Sequence, residues 1–462
     1  MNQISNSLAA RDIAYSLHPY TNAVRHEAEG PLVITRGKGI YVYDENGREY
    51  IEGLAGLWCV SLGWGERRLI DAAVRQMEKL PYYHSFTHKA VDVTIELAEK
   101  LIKIAPVPMS KVFFANSGSE ANDTVVKMVW YFNNALGRPK KKKIIARWRG
   151  YHGVTVAAAS LTGLPNNHRD FDLPIHNIMH TDCPHHYRFG KPGESEEQFA
   201  QRLADSLEQL ILAEGPDTVA AFIAEPVMGA GGVLIPPKTY FAKIQAVLKK
   251  YDVLFCVDEV ICGFGRTGNL FACQTFDLKP DIMSVAKALS SSYLPISAVM
   301  INEKVYAALR ENSNKIGTFG HGYTYSGHPV SAAVALETLK IYEERDIMRQ
   351  VRSVVPTFEK SIRKFADHPL VGEVRQVGLV GAIELVKNKA TKEAFDPAKM
   401  VGMTCAKFCQ EQGLITRAVG DSVCFSPPLI ITAAEIEDLF RRFGKALEAT
   451  HAWIKDQGLL AA

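Results

Sequence analysis

Short apolar runs without polar alternation recur along the middle of the chain. Residues 253–257 and 282–286 are clear examples. Runs of this length and composition are typical of strands that are buried on both faces of a parallel sheet. Further strand-like runs lie at residues 111–115, 143–148, 219–224 and 296–301.

Between these runs lie segments whose apolar residues have helical spacing, for example residues 90–104 and 196–213. Strands that alternate with helices predict a mostly parallel sheet with helices on both faces. The sequence therefore predicts an α/β fold with a large domain over residues 71–329.

The two ends of the chain have a different pattern. Residues 33–51 alternate in strand fashion around Asp44-Glu45-Asn46-Gly47, a hairpin turn signal. A helical run over residues 330–345 leads to strand-rich segments at 373–386 and 413–427 and a closing amphipathic helix at 433–453. We expect a smaller α+β domain built from residues 1–70 and 330–462.

Composition narrows the class of protein. A chain of 462 residues with 47% hydrophobic content can bury a large core. The 53 basic and 50 acidic side chains nearly cancel, which argues against nucleic acid or an anionic membrane as a partner. With no apolar stretch near the ~18 residues of a membrane span, no signal-peptide core and no CxxC pair, a cytoplasmic protein with reduced cysteines is expected.

Lys287 is the first candidate for chemistry because it directly follows the apolar run 282–286. A lysine at the end of a buried strand is costly to desolvate, and the lowered pKa that results suits Schiff-base chemistry. Asp258 and Glu259 follow the run 253–257. Asp258 could bind a protonated pyridine nitrogen, so the pair predicts a pyridoxal phosphate site.

Three other segments supply the remaining parts of such a site. Asn116-Ser117-Gly118-Ser119-Glu120 joins a strand to a helix, and the amides of Gly118 and Ser119 could hold a phosphate. Tyr151, after the strand at 143–148, could lie over a flat ring. Arg417 could bind a carboxylate through two hydrogen bonds.

Two other motifs are typical of a dinucleotide site and of a metal site, but their context favours neither. Residues 263–268 read G-x-G-x-x-G, but no helix clearly opens after them, and the preceding carboxylates would repel a pyrophosphate. The spacing of His180, Cys183, His185 and His186 fits no standard zinc site, so no metal is expected.

The assembled motifs identify a family resemblance. The chain resembles the class III pyridoxal-phosphate aminotransferases, and within them the ω-transaminases of amine:pyruvate type. The matching stretches lie at residues 56–60 (GLWCV), 116–121 (NSGSEA), 150–153 (GYHG), 224–227 (AEPV), 257–261 (VDEVI), 263–268 (GFGRTG), 286–287 (AK) and 323–329 (YTYSGHP).

The resemblance implies a fold-type I enzyme with a seven-stranded, mostly parallel sheet. It implies that Lys287 anchors the cofactor covalently and carries the proton, that Asp258 pairs with the pyridine nitrogen and that Tyr151 stacks on the ring. The implied cofactor contacts are Gly118, Ser119, Tyr151, His152, Glu225, Asp258, Ile261, Lys287 and Thr324. The implied substrate contacts are Tyr20, Leu57, Trp58, Phe86, Tyr151, Tyr323 and Arg417.

The resemblance also implies an activity and an assembly. An amino group would pass from a primary amine, a diamine or an ω-amino acid to a keto acid, expected to be pyruvate, by a ping-pong mechanism. Thr324 would reach the phosphate held by a neighbouring subunit, in a homodimer or tetramer with shared active sites.

Two alternatives stay open, and one departure from the family bears on substrate range. The alternatives are another pyridoxal phosphate enzyme of the same fold, such as a racemase or mutase, and a catalytically silent cofactor-binding protein. The presence of Lys287, Asp258 and Arg417 argues against the silent form. Ala288, Ser292 and Ser297 stand where the family often has glycine, so their added volume is expected to affect substrate range more than the reaction.

Overall fold

The computed structural model describes residues 6–460. The strands are β1 Ile34–Lys38, β2 Tyr41–Asp44, β3 Glu49–Glu52, β4 Lys111–Ala115, β5 Lys143–Arg147, β6 Ile178–Thr181, β7 Val219–Ala224, β8 Leu254–Asp258, β9 Ile282–Val285, β10 Ser297–Ile301, β11 Val371–Val377, β12 Val380–Leu385, β13 Leu414–Ile415, β14 Arg417–Val419 and β15 Ser422–Phe425. The helices are α1 Leu8–Tyr15, α2 Ala23–Glu29, α3 Ala55–Trp58, α4 Arg67–Lys79, α5 Asp92–Ile104, α6 Gly118–Ala135, α7 Val156–Leu161, α8 His186–Phe189, α9 Glu196–Glu214, α10 Tyr240–Lys250, α11 Ala272–Phe276, α12 Glu303–Ile316, α13 Pro329–Glu344, α14 Ile347–Arg363, α15 Val401–Glu411 and α16 Ala433–Asp456.

A seven-stranded sheet forms the centre of the molecule, in the order β4-β10-β9-β8-β7-β5-β6. β10 is antiparallel to both of its neighbours, and the other strand pairs are parallel. The prediction of a mostly parallel sheet is confirmed. Because β5, β7, β8 and β9 run in the same direction, the segments that follow them meet at one edge of the sheet.

Helices cover both faces of this sheet, which explains the unbroken apolar runs. Phe255 and Val257 of β8 belong to one buried cluster with Phe199 of α9. Leu254 and Cys256 belong to a second cluster, which also contains Val125 and Val129 of α6. Successive residues of the strand therefore face opposite apolar layers, so neither face tolerates polar alternation.

β6 was missed by the sequence pattern. It pairs in parallel with β5 at the edge of the sheet, and its two central residues, Met179 and His180, are only partly buried. An edge strand of four residues with a histidine inside carries no apolar signal. Its position depends on its pairing with β5.

Two smaller sheets are formed mainly by the ends of the chain. The N-terminal strands β1 to β3 are joined by β13, which is parallel to β3 and places Leu414 opposite Ile51. The predicted hairpin turn is confirmed, since the amide of Gly47 donates to the carbonyl oxygen of Asp44 over 3.0 Å. The second sheet has the order β11-β12-β15-β14 and is antiparallel. The domain boundaries near residues 70 and 329 stay predictions.

α16 is the longest helix among residues 6–460, with 24 residues. It buries Leu439, Phe443 and Leu447 on one face and carries charged residues on the other. Within the described part of the chain, no helix is long and apolar enough to cross a membrane.

Candidate active site

A cavity of about 160 Å³ lies where the carboxyl ends of the parallel strands meet. Its walls come from the start of α6, the loop after β5 and the ends of β7, β8 and β9. The lining residues are Gly118, Ser119, Asn122, Tyr151, His152, Gly153, Glu225, Asp258, Val260, Ile261 and Lys287. The cavity thus contains eight of the nine residues that the sequence assigned to the cofactor.

Lys287 enters the cavity directly after β9, in a short 3₁₀ segment, Lys287–Ser290. Its backbone has a φ of +50°, a left-handed conformation that is uncommon for a side-chain-bearing residue. Burial lowers the pKa of its amine below the ordinary 10.5, while Cys59, Asp258 and Glu225 act in the opposite direction. A less basic amine presents its lone pair nearer to neutral pH, as a nucleophile or a proton acceptor requires.

Asp258 is 3% exposed and accepts hydrogen bonds from three donors. Its Oδ2 atom accepts from Asn122 Nδ2 over 2.7 Å and from His152 Nδ1 over 2.8 Å. Its Oδ1 atom accepts from the amide of Val260 over 3.0 Å. Three donors therefore hold this buried carboxyl group in one orientation.

The start of α6 provides an anion site. Ser117 caps the helix, and its Oγ accepts from the amide of Glu120 over 3.1 Å. The first bond inside the helix joins the amide of Ala121 to the carbonyl oxygen of Ser117, so the amides of Gly118 and Ser119 precede it. They are available to a phosphate at the positive end of the helix dipole.

Ser117 and Glu120 have the S-x-x-E spacing of a capping box, but only half of that motif is formed at this helix. Glu120 Oε2 accepts from the amide and the side chain of Asn116, at 2.7 Å and 2.9 Å, and not from the amide of Ser117. Glu120 therefore binds Asn116, at the end of the preceding strand, and this residue lies one position before the Ser117 that a capping box uses. Gly118 is required here, because a Cβ at this position would lie 3.0 Å from Val260 Cγ1.

The loop after β5 brings Tyr151 into the cavity. Its amide donates to Glu225 Oε1 over 2.9 Å, and the amide of Gly229 donates to Glu225 Oε2 over 3.1 Å. Burial raises the pKa of the Glu225 carboxyl and of the Tyr151 phenol. Gly153 allows the loop to approach α6, since it has a φ of +134° and a Cβ there would lie 2.6 Å from Ser119 Oγ.

Three lining residues were missed by the sequence reasoning: Asn122, Gly153 and Val260. Asn122 is 1% exposed on α6, one turn after Ser119. A buried amide on the inward face of a helix must find partners, and here they are Asp258 and Ser284. In the sequence, Asn122 is recognisable only as a polar residue on the otherwise apolar face of a helix. Its contacts cannot be read from that pattern.

Tyr20 and Arg417 lie beside the cavity and not in its wall. Both act electrostatically on Tyr151, Tyr20 raising and Arg417 lowering the pKa of its phenol. The hydroxyl of Tyr20 accepts from Asn167 Nδ2 over 2.6 Å. Within residues 6–460, the side chain of Arg417 forms no hydrogen bond or ion pair.

Trp58 is packed in the core next to the cavity. It is 2% exposed in an apolar cluster with Leu54 and Val227, and the same cluster includes Ile261, which does line the cavity. Leu57, in contrast, is exposed. The structure therefore does not place Trp58 among the lining residues, because its side chain is buried in this apolar cluster.

Phe86, Tyr323 and Thr324 lie outside the cavity of the single chain. Phe86 lines a separate surface groove with residues of the loop 318–326. The hydroxyl of Tyr323 donates to the carbonyl oxygen of Glu120 over 3.1 Å, and the carbonyl oxygen of Thr324 accepts from the hydroxyl of Tyr82 over 2.7 Å. This loop packs on the first turn of α6, with the Thr324 side chain exposed.

The histidine group at 180–186 is dispersed over separate contacts. His180 stacks on Trp148 with ring centroids 4.6 Å apart, and His186 Nε2 lies 2.8 Å from the carbonyl oxygen of Glu194. His185 Nε2 lies 2.8 Å from Glu373 Oε2. The three imidazoles therefore serve three different neighbours.

The G-x-G-x-x-G segment connects the central sheet with the C-terminal strands. Arg266 is buried inside it and donates from Nη1 to the carbonyl oxygens of Leu379 and Pro427, over 3.1 Å and 2.6 Å. A Cβ on Gly378 would lie 2.5 Å from the carbonyl oxygen of Arg266. Within the motif, a Cβ on Gly263 would lie 2.7 Å from the carbonyl oxygen of Glu259, and Gly265 and Gly268 have φ values of +105° and +91°. Backbone conformation and close packing thus account for these glycines without a nucleotide.

Comparison with known families gives a consistent result. The family model for class III aminotransferases matches residues 23–447. A chloroplastic gamma aminobutyrate transaminase 3 from Solanum lycopersicum is 51% identical over 459 residues, covering 98% of this chain and 88% of that protein. A probable gamma-aminobutyrate transaminase 4 from Oryza sativa subsp. japonica is 55% identical over 436 residues, covering 94% and 90%.

Solved structures agree with the sequence relatives. A thermostable omega transaminase six-fold mutant from Pseudomonas jessenii is similar with a TM-score of 0.96 and 58% identity, over 97% of this chain and 99% of that one. The P. jessenii omega transaminase in complex with PMP has a TM-score of 0.96 and 57% identity, over the same shares of the two chains. The buried amine, the carboxylate with three donors and the open helix start all fit such a cofactor. This chain therefore belongs to the class III aminotransferases, fold-type I enzymes that use pyridoxal phosphate.

Proposed function

We propose that this aminotransferase moves an amino group from a primary amine, a diamine or an ω-amino acid to pyruvate, in two half-reactions at one site. The observation that carries the proposal is the guanidinium of Arg417, which lies close enough to Tyr151 to act on its phenol and has no partner among residues 6–460. A cation that is not paired can receive the carboxylate of a keto acid. The relatives named gamma-aminobutyrate and omega transaminases support this substrate class.

Lys287 is the proposed proton carrier. When bound, pyridoxal phosphate supplies an aldehyde that takes up the amino group and a ring that withdraws electrons. The Lys287 amine would hold the cofactor between turnovers. In the first half-reaction it would remove the proton from the amine-bearing carbon of the donor, and in the second it would deliver a proton to the corresponding carbon of the keto acid. Its lowered pKa favours the neutral amine that removes the proton.

The other cavity residues orient the cofactor. Asp258 would bind the ring nitrogen and keep it protonated, since a charge-assisted hydrogen bond is strong in a buried site. Tyr151 and Ile261 would supply contacts to the ring, and the amides of Gly118 and Ser119 would bind the phosphate.

The substrate pocket must serve an anion in one half-reaction and an apolar group in the other. Arg417 would bind pyruvate through parallel hydrogen bonds, and because its side chain is only partly buried it could turn toward solvent when the donor tail is uncharged. Tyr20, Leu57 and Tyr151 would form the apolar side of the pocket, supported by the apolar cluster that contains Trp58 and Ile261.

The loop 318–326 completes the site of a second subunit in this proposal. Phe86, Phe319 and His321 line a groove of about 600 Å³ on the chain surface next to Tyr323 and Thr324, and Tyr82 and Tyr83 are also exposed. A second copy of the chain would cover these aromatic side chains and receive Thr324 at its phosphate. A homodimer, or a tetramer built from such dimers, follows, and a cytoplasmic location stays a prediction.

Separate half-reactions test the proposed function. The holoenzyme is mixed with one donor amine, and the absorbance of bound pyridoxal phosphate near the visible edge is followed. We expect the absorbance to disappear with a primary amine or ω-amino acid and to return after gel filtration and addition of pyruvate. With a racemase or mutase, the absorbance of bound pyridoxal phosphate would recover without a keto acid, and with a silent protein the absorbance would not change. Either result would overturn the proposal.

A further inference from the structure

A buried chain of hydrogen bonds lies behind Asp258. Ser284 of β9 donates from Oγ to Asn122 Oδ1 over 2.8 Å. Asn122 donates from Nδ2 to Asp258 Oδ2 and to the carbonyl oxygen of His152, each over 2.7 Å. Ser284, Asn122, His152 and Asp258 are all between 1% and 3% exposed. The chain joins a strand, a helix, a loop and a second strand end at one carboxylate.

The direction of each bond in this chain is determined by chemistry. The carbonyl oxygen of His152 can only accept, so the atom of Asn122 that faces it must be the amide nitrogen. The same nitrogen faces Asp258, which must then accept as well. The opposite atom, Asn122 Oδ1, receives the hydroxyl proton of Ser284. The carbonyl oxygen of His152 therefore sets the orientation of the amide that presents a donor to Asp258, and the hydroxyl of Ser284 holds the oxygen end of the amide in place.

We propose that Asn122 and Ser284 are positioning residues for Asp258, which they hold so that one acceptor position faces the cofactor ring. A carboxylate has about four acceptor positions. Asn122, His152 and Val260 occupy three of them. The remaining position is the one that the ring nitrogen uses under the proposed function, on which this inference rests.

The structure determines what the loss of Ser284 would do. Without its hydroxyl, Asn122 Oδ1 becomes a buried acceptor with no donor, and the amide is held only through its nitrogen. The side chain can then shift, which weakens its hydrogen bond to Asp258, and the fourth acceptor position is less firmly held toward the ring. We expect cofactor affinity and kcat to fall about three- to tenfold in Ser284→Ala, with little change in the KM for the donor amine.

The test compares Ser284→Ala, Ser284→Thr and Asn122→Asp with the unmodified protein. Each is prepared without cofactor, and the dissociation constant for pyridoxal phosphate is measured by quenching of tryptophan fluorescence. The circular dichroism of the bound cofactor reports its orientation independently of activity. Ser284→Thr keeps a hydroxyl and should restore affinity and dichroism, whereas Asn122→Asp places a second carboxylate beside Asp258 and should weaken binding more than Ser284→Ala.

Thr450→Val is the matched control. It removes a buried hydroxyl that donates to the carbonyl oxygen of Ala446 over 2.7 Å in α16, among residues that do not line the cavity. Its stability should fall as in Ser284→Ala, while its dissociation constant and dichroism should match the unmodified protein. Unchanged cofactor affinity and dichroism in Ser284→Ala would overturn the inference, and so would an equal loss in Ser284→Ala and Ser284→Thr.

Asp258→Asn separates this inference from the proposed function. If Asp258→Asn binds the cofactor as the unmodified protein does, the proposed role of Asp258 is wrong. If Asp258→Asn weakens binding but Asn122→Asp and Ser284→Ala do not, only the positioning role is wrong.

Discussion

His152 Nδ1 lies 2.8 Å from Asp258 Oδ2, and both side chains are shielded from solvent although 106 positions separate them in the chain. The contact forms because the loop after β5 and the end of β8 reach the same edge of the central sheet. Asp258 is thereby fixed from two directions, by the imidazole and by the amide of Asn122. The position of this carboxylate, and not its presence alone, is what cofactor chemistry requires.

Lys287→Ala should abolish turnover and leave no adduct that borohydride can trap. The reason is that the variant lacks the amine proposed to hold the cofactor and carry the proton. Mass spectrometry of the reduced protein is the measurement. Lys279→Ala, at an exposed lysine, is the control and should keep both activity and adduct. A reducible adduct on another lysine of the Lys287→Ala protein would contradict the assignment.

Asp258→Asn should bind pyridoxal phosphate more weakly and lose most of its rate. The substitution keeps the size of the side chain and removes a charge-assisted hydrogen bond worth about 1.5 to 3 kcal/mol, which corresponds to about 10- to 150-fold. Cofactor titration and kcat are measured together. Asp367→Asn on the surface should leave both unchanged. Kinetics near those of the unmodified enzyme would remove Asp258 from the mechanism.

Mixed dimers should show that each active site uses two subunits. Chains with Lys287→Ala are exchanged with chains in which Thr324 is changed to Val. In the mixed dimer, one site carries both defects and the other carries none, so activity above that of either parent is expected. A chain that carries both substitutions, mixed with itself, is the control. No recovered activity after proven subunit exchange would count against sharing.

Arg417→Ala should raise the KM for pyruvate strongly and spare the half-reaction with an amine that has a neutral tail. The carboxylate loses its bidentate partner, whereas an uncharged tail never used it. A panel of donors and acceptors in single half-reactions is the measurement, with Arg310→Ala on the surface as control. Equal loss with every substrate would show that Arg417 supports the fold instead.

Acid should destabilise the protein partly through Glu384. Burial by itself would raise the pKa of Glu384, but the charges of Arg375 and Arg188 outweigh it and bring the pKa to about 2, below the ordinary 4.5. A depressed carboxyl pKa stabilises the folded state above pH 4.5, and this contribution is lost as the pH falls from 4.5 toward 2. The change from 4.5 to about 2 corresponds to a contribution of about 3 kcal/mol, and Arg375 Nη1 lies 2.5 Å from Glu384 Oε2.

Glu384→Gln tests this pH dependence. The Tm of the variant should be lower than that of the unmodified protein at neutral pH, and the gap should narrow as the pH falls below 4.5. Glu437→Gln at an exposed position is the control and should follow the unmodified protein. A gap that stays constant down to pH 3 would show that Glu384 does not titrate in the range assigned to it.

The sequence pattern predicted six of the seven strands of the central sheet and the two residues at the core of the site. Apolar runs buried on both faces predict parallel strands, because no polar residue is tolerated on either side. In a parallel sheet, the residues directly after the strands converge at one edge, so Lys287 and Asp258 could be placed together from their positions after two such runs. Gly118 and Ser119 followed from the same rule.

The tertiary structure decided everything that depends on distant partners. The edge strand β6 has no apolar pattern of its own and is defined by its pairing with β5. Nothing in the sequence of α6 indicates the partners of Asn122. Its amide contacts Asp258 and Ser284 because α6 packs against β8 and β9 in the folded protein. The packing of Trp58 beside Ile261 likewise follows from the shape of the core.

Local patterns determine which residues must be buried, since burial depends on the polarity of each position. They leave open which buried groups become neighbours, because that depends on strand order and helix packing over the whole chain. Lys287 and Asp258 were therefore predictable from sequence, whereas the hydrogen bonds that hold Asp258 in place were visible only in the folded protein.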